Sequence, residues 1–473
     1  MKHTFIYALL ISFLFTACVQ DFLSLEPISD LTEGNFFKTG ADAEAALVAA
    51  YDVLQSEYYI FDLFTNGDVI SDNCYAGGDN PNNFQLDEFT ITATNANAER
   101  DWRYLYEGIS RANAVLDNVG AIESPDLIAE RKQQILGEAA FLRAVHYFQL
   151  VNLYGEVPLV LKKVNSTDPE VINQARSAVP NVYNTIIADL QFAIENAPIS
   201  TDQPQRVSRS AAQAMLAKVY AHQPSPDWNM VSLYAATVID DGPHSLLPNY
   251  DHLWDGQHEN SAESIFEIQY IGGTNEANWG PQLWLPPSLT GDSWRKFNTP
   301  SNDLIEAFTA AGDEVRMKSA IIFQNNLPWQ DANFPDGNIP FPYKQRLANG
   351  WSSPNNIILL RLADIILLKA EAKAELNELA EAKALLNQVR NRVGLPATNA
   401  VAQAEVLDAI ALERRLELAF EGHRWYDLKR RGKALEVMEA LGKGYPLDET
   451  KLFFPIPQAE LDRNPNLTQN AGY

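Results

Sequence analysis

The sequence predicts a mostly α-helical fold, built from paired amphipathic helices and interrupted by a loop-rich region with short strands. Three observations predict it. Apolar residues recur at three-and-four spacing over long stretches, the period that keeps one helix face apolar. Several of these stretches come in pairs and stop on Gly or Pro, as at Gly155 and Pro158 and again at Gly394 and Pro396. From about Gly242 to Gly350 the helical period disappears, and turns, aromatics and alternating runs replace it. With 473 residues, 46% hydrophobic and 21% charged, the chain is globular in composition and long enough for an ordinary packed core.

In chain order, Ala41 to Gln55 is the first helical stretch, its apolar face ending on Tyr51 and Leu54. Trp102 to Val119 and Ile135 to Tyr154 follow as two longer helices, then Val182 to Asn196 and Ser210 to His222. Ile358 to Leu376 and Leu379 to Val393 form another pair, and Val406 to Arg430 reads as the last long helix. Ser264 to Tyr270 (SIFEIQY) alternates as a strand does. Several of the pairs resemble tetratricopeptide units, which place small residues where helices cross closely. Ala370, Ala372 and Ala374, followed by Ala380, Ala384 and Leu385, supply such residues. A generic bundle with alanine-rich contacts fits the same periodicity.

The N-terminus sets the compartment. Lys2 precedes an apolar run from Phe5 to Phe15, and the small residues Thr16 and Ala17 lead to Cys18. Such a run is too short to span a bilayer and reads as a cleaved export signal over residues 1–17. The cysteine after the small pair resembles a bacterial lipobox, whose thiol is acylated and becomes the new N-terminus; Phe15 stands where Leu is usual. The alternative is an ordinary secretory signal with an incidental cysteine. Residues 18–473 then form one domain: a helical part to 240, a loop-rich part over 241–350 and a helical part from 351. The formal net charge of -25 repels phosphate backbones and argues against nucleic-acid binding. With Cys18 lipidated, Cys74 is the one remaining thiol, so neither an internal disulfide nor a cysteine-based zinc site is available.

Many ordered segments resemble the SusD/RagB family, the nutrient-binding surface lipoproteins of glycan-uptake systems in Bacteroidetes. They begin with DFLSLEPISDLTEGNFFKTGADAEAALVAAYDVL after Cys18 and continue through WRYLYEGISRANAVLDNV and GEAAFLRAVHYFQLVNLYGEVPLV. NNIILLRLADIILLKAEAKAEL, LERRLELAFEGHRWYDLKRRG and the tail LFFPIPQAELDRNPNLTQNAGY complete the series. The resemblance implies a SusD-like fold with four tetratricopeptide-like helix pairs and a binding surface beside them. It further implies an outer-membrane, lipid-anchored protein facing the cell exterior. Its implied role is to capture oligo- or polysaccharide for a SusC-type TonB-dependent transporter, with no cofactor, no metal and no catalysis.

Sugars present apolar C–H faces and rings of hydroxyls, so aromatic rings with Asp, Asn and Arg beside them form the matching surface. Two stretches offer that mixture, and in the family ligand contacts usually come from these two regions. The first is the Asn-, Asp- and Gly-rich stretch from Asn66 to Asn97, with Asp72, Asn73 and Tyr75; the second holds Trp279, Trp284, Trp294 and Arg295. Each tryptophan has the competing role of a plug that pins its loop to the helices.

Other conspicuous residues read as structural. Glu413, Glu417 and Glu421 recur at helical spacing beside Arg414, Arg415 and Arg424, a pattern expected of a salt-bridge network rather than of paired catalytic carboxylates. Arg361 and Asp364 suggest a local ion pair, and Trp102, Tyr106, Tyr147, Tyr154 and Trp425 lie in apolar stripes. His146 and His423 lack a histidine partner at metal-ligand spacing, and Asp79 to Asn83 lack the ligand ladder of a calcium loop. No His-Glu-x-x-His, Gly-x-Ser-x-Gly or phosphate-binding Gly-Lys motif is present. The readings left in competition are a glycan-binding lipoprotein, a lipoprotein glycoside hydrolase, a pure interaction scaffold and a peptide-binding relative of the same uptake family.

Overall fold

Several of the amphipathic helices open on a polar cap. Helix α1, Gly40–Asp52, opens on a capping box: the Thr39 hydroxyl accepts from the Asp42 N–H while the Asp42 carboxylate accepts from the Thr39 N–H. Helix α2, Ala96–Asn118, is capped by Asn95, whose side chain accepts from the N–H groups of Asn97 and Ala98. There follow α3 (Ala129–Tyr154), α4 (Val179–Asn196), α5 (Arg209–His222), α6 (Trp228–Asp240), α7 (Leu362–Glu375), α8 (Leu379–Arg392), α9 (Gln403–Glu417) and α10 (Arg424–Arg430). The computed structural model describes residues 36–199, 203–273, 276–442 and 444–473, so the expected export signal and Cys18 lie outside the described residues.

Neighbours in sequence are neighbours in space from α2 to α7, each helix packing on the next, and α7 packs on both α8 and α9. That is the stacked order of helix-pair solenoids. Alanines allow the close approach: Ala211, Ala212, Ala214 and Ala217 on α5, and Ala370, Ala372 and Ala374 on α7, are all buried. On α8 the buried stripe is Ala382, Leu386 and Val389, while Ala380 and Ala384 face solvent.

The stack explains the loop-rich region. Helices α6 and α7 touch although about 120 residues separate them, so this whole stretch is an excursion between two adjacent helices. Strand β2 (Ser264–Ile268) leaves and β6 (Ile357–Arg361) returns, paired antiparallel. Strand β1 (Cys74–Ala76) pairs with β3 (Asn298–Pro300), which ties the N-terminal part to the excursion, and β4 (Ile321–Gln324) pairs with β5 (Ile339–Pro342).

Three expectations are corrected. Residues 358–361 are strand rather than the start of a helix, and α6 was not anticipated; its buried stripe is only Val231, Ala235 and Val238. The stretch 406–430 is two helices, because Phe420 and Gly422 take left-handed φ of 63° and 74°. The break admits a π-helical turn, Thr65–Val69, so closely that a Cβ on Gly67 would lie 2.2 Å from the Gly422 carbonyl oxygen.

The carboxylates Glu413 and Glu417 of α9, and Glu421 in the break after it, are buried in ion pairs, but not with the arginines interleaved among them. Glu417 meets Arg361 at 2.5 Å and Arg316 at 2.8 Å, and Arg392 closely. Glu413 meets Arg316 and Arg390, each at 2.7 Å, and Glu421 meets Arg361 at 2.7 Å and Lys344 at 2.6 Å. Arg414 instead holds Asp364 and Asp427, so Arg361 and Asp364 are not partners. His146 is buried as expected and His423 is half-buried, beside the Tyr59 hydroxyl and the Lys218 ammonium, each at 2.9 Å. Burial lowers their pKa to about 3 and about 4. Trp102, Tyr147, Tyr154 and Trp425 are core residues, whereas Tyr106 is half-buried.

Candidate functional site

The excursion places its tryptophans at three depths. Asn278 starts the arrangement: its side-chain oxygen accepts from the Gly280 N–H at 2.9 Å, and its amide donates to the Asn355 carbonyl at 2.8 Å. The short helix Gly280–Trp284 follows and turns Trp284 inward. Trp284 is 3% exposed and stacks on Phe61, with ring centroids 5.1 Å apart and planes 3° apart. It is a plug and has no face left for a sugar. Trp279 is half-buried and leans on the same Phe61 at 6.2 Å.

Trp294 is half-buried and forms the base of a surface pair. Lys296 holds it from one side, with Nζ 3.8 Å from the ring centroid. That ammonium is itself fixed by the Gln282 carbonyl at 2.8 Å, the Thr290 hydroxyl at 3.0 Å and the Asp292 carboxylate at 2.6 Å, and burial pulls its pKa below the ordinary lysine range. Trp351 stacks with Trp294 at 6.4 Å and 18° and keeps 58% of its surface exposed. A turn presents Trp351: the Ser352 N–H donates to the Asn349 carbonyl at 3.1 Å, and Gly350 takes a left-handed φ of 56°. Beside the pair, Arg295 is 37% exposed and braced by Asp331 at 2.7 Å, so its guanidinium is oriented while part of it faces water.

The first stretch behaves differently from a surface loop. Asp72 is 2% exposed and makes a two-pronged pair with Arg424, both contacts at 2.7 Å, and a third contact with Arg415 at 3.0 Å. Burial pushes its carboxyl up, but the two guanidinium groups outweigh burial and hold it below the ordinary range. Asn73 accepts from Arg415 Nε at 2.9 Å and is also buried. Tyr75 sits among Phe334, Ile339 and Phe341, and burial, then the Asp331 carboxylate, raises its phenol pKa. Asp72, Asn73, Tyr75 and Trp284 are therefore buried and offer no open face.

Trp351 was missed by the sequence reading. The signal was present: Asn349-Gly350 is a strong turn dipeptide, and a tryptophan immediately after it has little choice but the surface. A second concave surface, a groove of about 640 Å³ between α1 and β2, is lined by Val48, Tyr51, Gln55, Arg206, Ile268 and Ile271.

Residues 342–473 match the SusD family model, and residues 21–221 match a SusD-like model described as starch-binding associating with outer membrane. SusD-like protein P25 of Formosa agariphila is 28% identical, across 100% of this chain and 99% of its own. A solved laminarin binding SusD-like protein is 31% identical with a TM-score of 0.79, covering 92% of this chain and 100% of that one. The chain belongs to the SusD family. Surface glycan-binding protein A from Bacteroides uniformis shares the SusD fold at a TM-score of 0.78 and 25% identity, over 91% of this chain and 99% of that one. The helix stack with a long excursion between α6 and α7 is thus the SusD architecture, and in this SusD-family chain the Trp351–Trp294 pair lies on that excursion.

Proposed function

We propose that this chain is a cell-surface glycan-binding lipoprotein that captures oligo- or polysaccharide and passes it, without catalysis, to a SusC-type TonB-dependent transporter. The observation that carries the reading is the Trp351–Trp294 pair, in which solvent-facing Trp351 stacks on half-buried Trp294, with the oriented Arg295 next in sequence to Trp294. The outer face of Trp351 suits the C–H face of a pyranose, and Arg295 suits its hydroxyls. Trp279 extends the set, while Asp72, Asn73, Tyr75 and Trp284 support it. A net charge of -25 favours a neutral glycan. Because a relative at 31% identity is titled laminarin binding, neutral β-glucans head the test panel, with starch beside them.

A glycosidase reading needs two carboxylates about 5–10 Å apart across an open cleft. Glu413 and Glu417, the pair suggested by helical spacing, are wholly buried and neutralised by arginines. The purified protein should be retarded in native gels containing its polysaccharide and release no reducing ends from it. Release of reducing ends that a single carboxylate substitution abolishes would replace this reading with the enzymatic one.

Anchoring is proposed at Cys18. Among the described residues no helix is long and apolar enough to cross a membrane, so a lipid would supply the attachment. Labelled palmitate should enter the native protein and not Cys18→Ser, and the variant should leave the membrane fraction. Equal retention of both would remove the lipoprotein assignment.

A further inference from the structure

The loop between α6 and β2 brings together donor atoms that the glycan reading does not use. Asn249 caps a short 3-10 turn, Tyr250–Leu253, by accepting from the Asp251 N–H at 3.1 Å. Asp255 then turns the chain: one oxygen accepts from the N–H groups of Gln257 at 2.8 Å and His258 at 3.2 Å, and Gly256 takes a left-handed φ of 67°. The turn folds His258 back over His252. Their imidazoles lie parallel, with centroids 4.0 Å apart and planes 5° apart, and the second Asp255 oxygen is 2.8 Å from His258 Nδ1. One donor atom from each of the three side chains lies within 4.8 Å of the others.

The frame around these donors is fixed. On the inner side of the loop, the Tyr250 hydroxyl donates to the Glu417 carbonyl at 3.1 Å, and Trp254 is buried beneath Lys344 at 4.6 Å. Asp251 is held by Arg346 at 2.8 Å. On the outer side His252 and Asp255 are half-buried and His258 is exposed, so an ion and its water ligands have access.

We propose that His252, Asp255 and His258 form a binding site for one divalent transition-metal ion of the zinc type. Two imidazole nitrogens and one carboxylate oxygen are the donor set of zinc, nickel or copper, whereas calcium wants six or more oxygens. Tetrahedral zinc bonds of about 2.0–2.1 Å bring donors to roughly 3.4 Å from each other. Side-chain rotation at a solvent-facing turn covers that difference. The ion acts as a clamp on the loop whose inner face, Tyr250 and Trp254, covers the buried ion-pair cluster. In sequence the three ligands are spaced His-x-x-Asp-x-x-His, which matches no familiar metalloprotein motif.

The test is calorimetric titration of the chelator-treated full chain with zinc, beside His252→Ala, His258→Ala and Asp255→Asn. The expected result is one zinc per chain, with affinity lowered at least tenfold in each variant. Zinc should also raise the thermal midpoint of the native protein and leave that of the two histidine variants unchanged. Asp255→Asn keeps an oxygen for the turn's N–H groups, so it removes the charge without unfolding the turn. Absence of stoichiometric uptake at micromolar zinc, or uptake unaltered in all three variants, would overturn the proposal. Neither result bears on glycan capture.

Discussion

Arg361→Ala is expected to destabilise the protein by about 3–5 kcal/mol, the cost of leaving buried charges without their partner. Arg361 is buried where β6 enters α7, and it binds Glu263 at 3.1 Å, Glu417 at 2.5 Å and Glu421 at 2.7 Å. Removing it takes one partner from carboxylates of the excursion and of the C-terminal part at once, leaving Glu417 to Arg316 and Arg392, Glu263 to Arg392, and Glu421 to Lys344. The same cluster sets the acid limit. Burial alone would raise the carboxyls of Glu417 and Glu421, but Arg392, Arg361 and Arg316 around Glu417, and Arg361 and Lys344 around Glu421, hold them below the ordinary range. Groups with depressed folded values stabilise above their unfolded value, about 4.3. That stability is lost as pH falls through the folded values, so the native protein should resist mild acid and then unfold steeply. Urea titrations at neutral pH and across the acid range measure both effects. A loss below about 1 kcal/mol for Arg361→Ala would mean that water already compensates these charges.

Trp351→Ala should weaken glycan binding by about 2 kcal/mol, roughly 30-fold, as expected for an aromatic anchor. Its stability should stay within about 0.5 kcal/mol of native, because the side chain is 58% exposed and lies on a turn. Trp284→Ala should do the reverse. It empties the space against Phe61 and should cost about 3–5 kcal/mol of stability, with binding altered only as far as the loop loosens. Salt should change the native affinity little, since ring stacking and hydroxyl bonds to neutral sugar are weakly screened. Calorimetry paired with thermal melts on the two variants separates platform from plug. Equal binding losses in step with stability would show that neither tryptophan touches sugar.

The helix pairs were legible because a 3.6-residue apolar period survives any tertiary context that buries one face. Helix α6 escaped because three small or β-branched residues make its whole stripe. The Asn-rich stretch misled for a physical reason. Asn73 is the one asparagine there expected at sugar, yet its neighbours Asn80 and Asn95 cap helices, Asn66 donates to Asp101 at 2.8 Å and Asn83 accepts from Asn97 at 2.6 Å. They serve helix starts and buried polar pairs, tasks that need the same side chains as sugar recognition. Glu417 was legible as structural, but not its partners: Arg316, Arg361 and Arg392 come from three separate elements, and no local spacing encodes such a meeting. Trp351 was hidden only by an element boundary drawn one residue too early.

Glycan is expected on the Trp351–Trp294 platform. A crystal structure with an oligosaccharide cut from the polysaccharide that retards the protein tests this most directly. The expected result is a pyranose lying parallel to Trp351 at van der Waals distance, about 4 Å, with Arg295 donating to its hydroxyls. Sugar seated in the groove between α1 and β2, with Trp351 bare, would contradict the account.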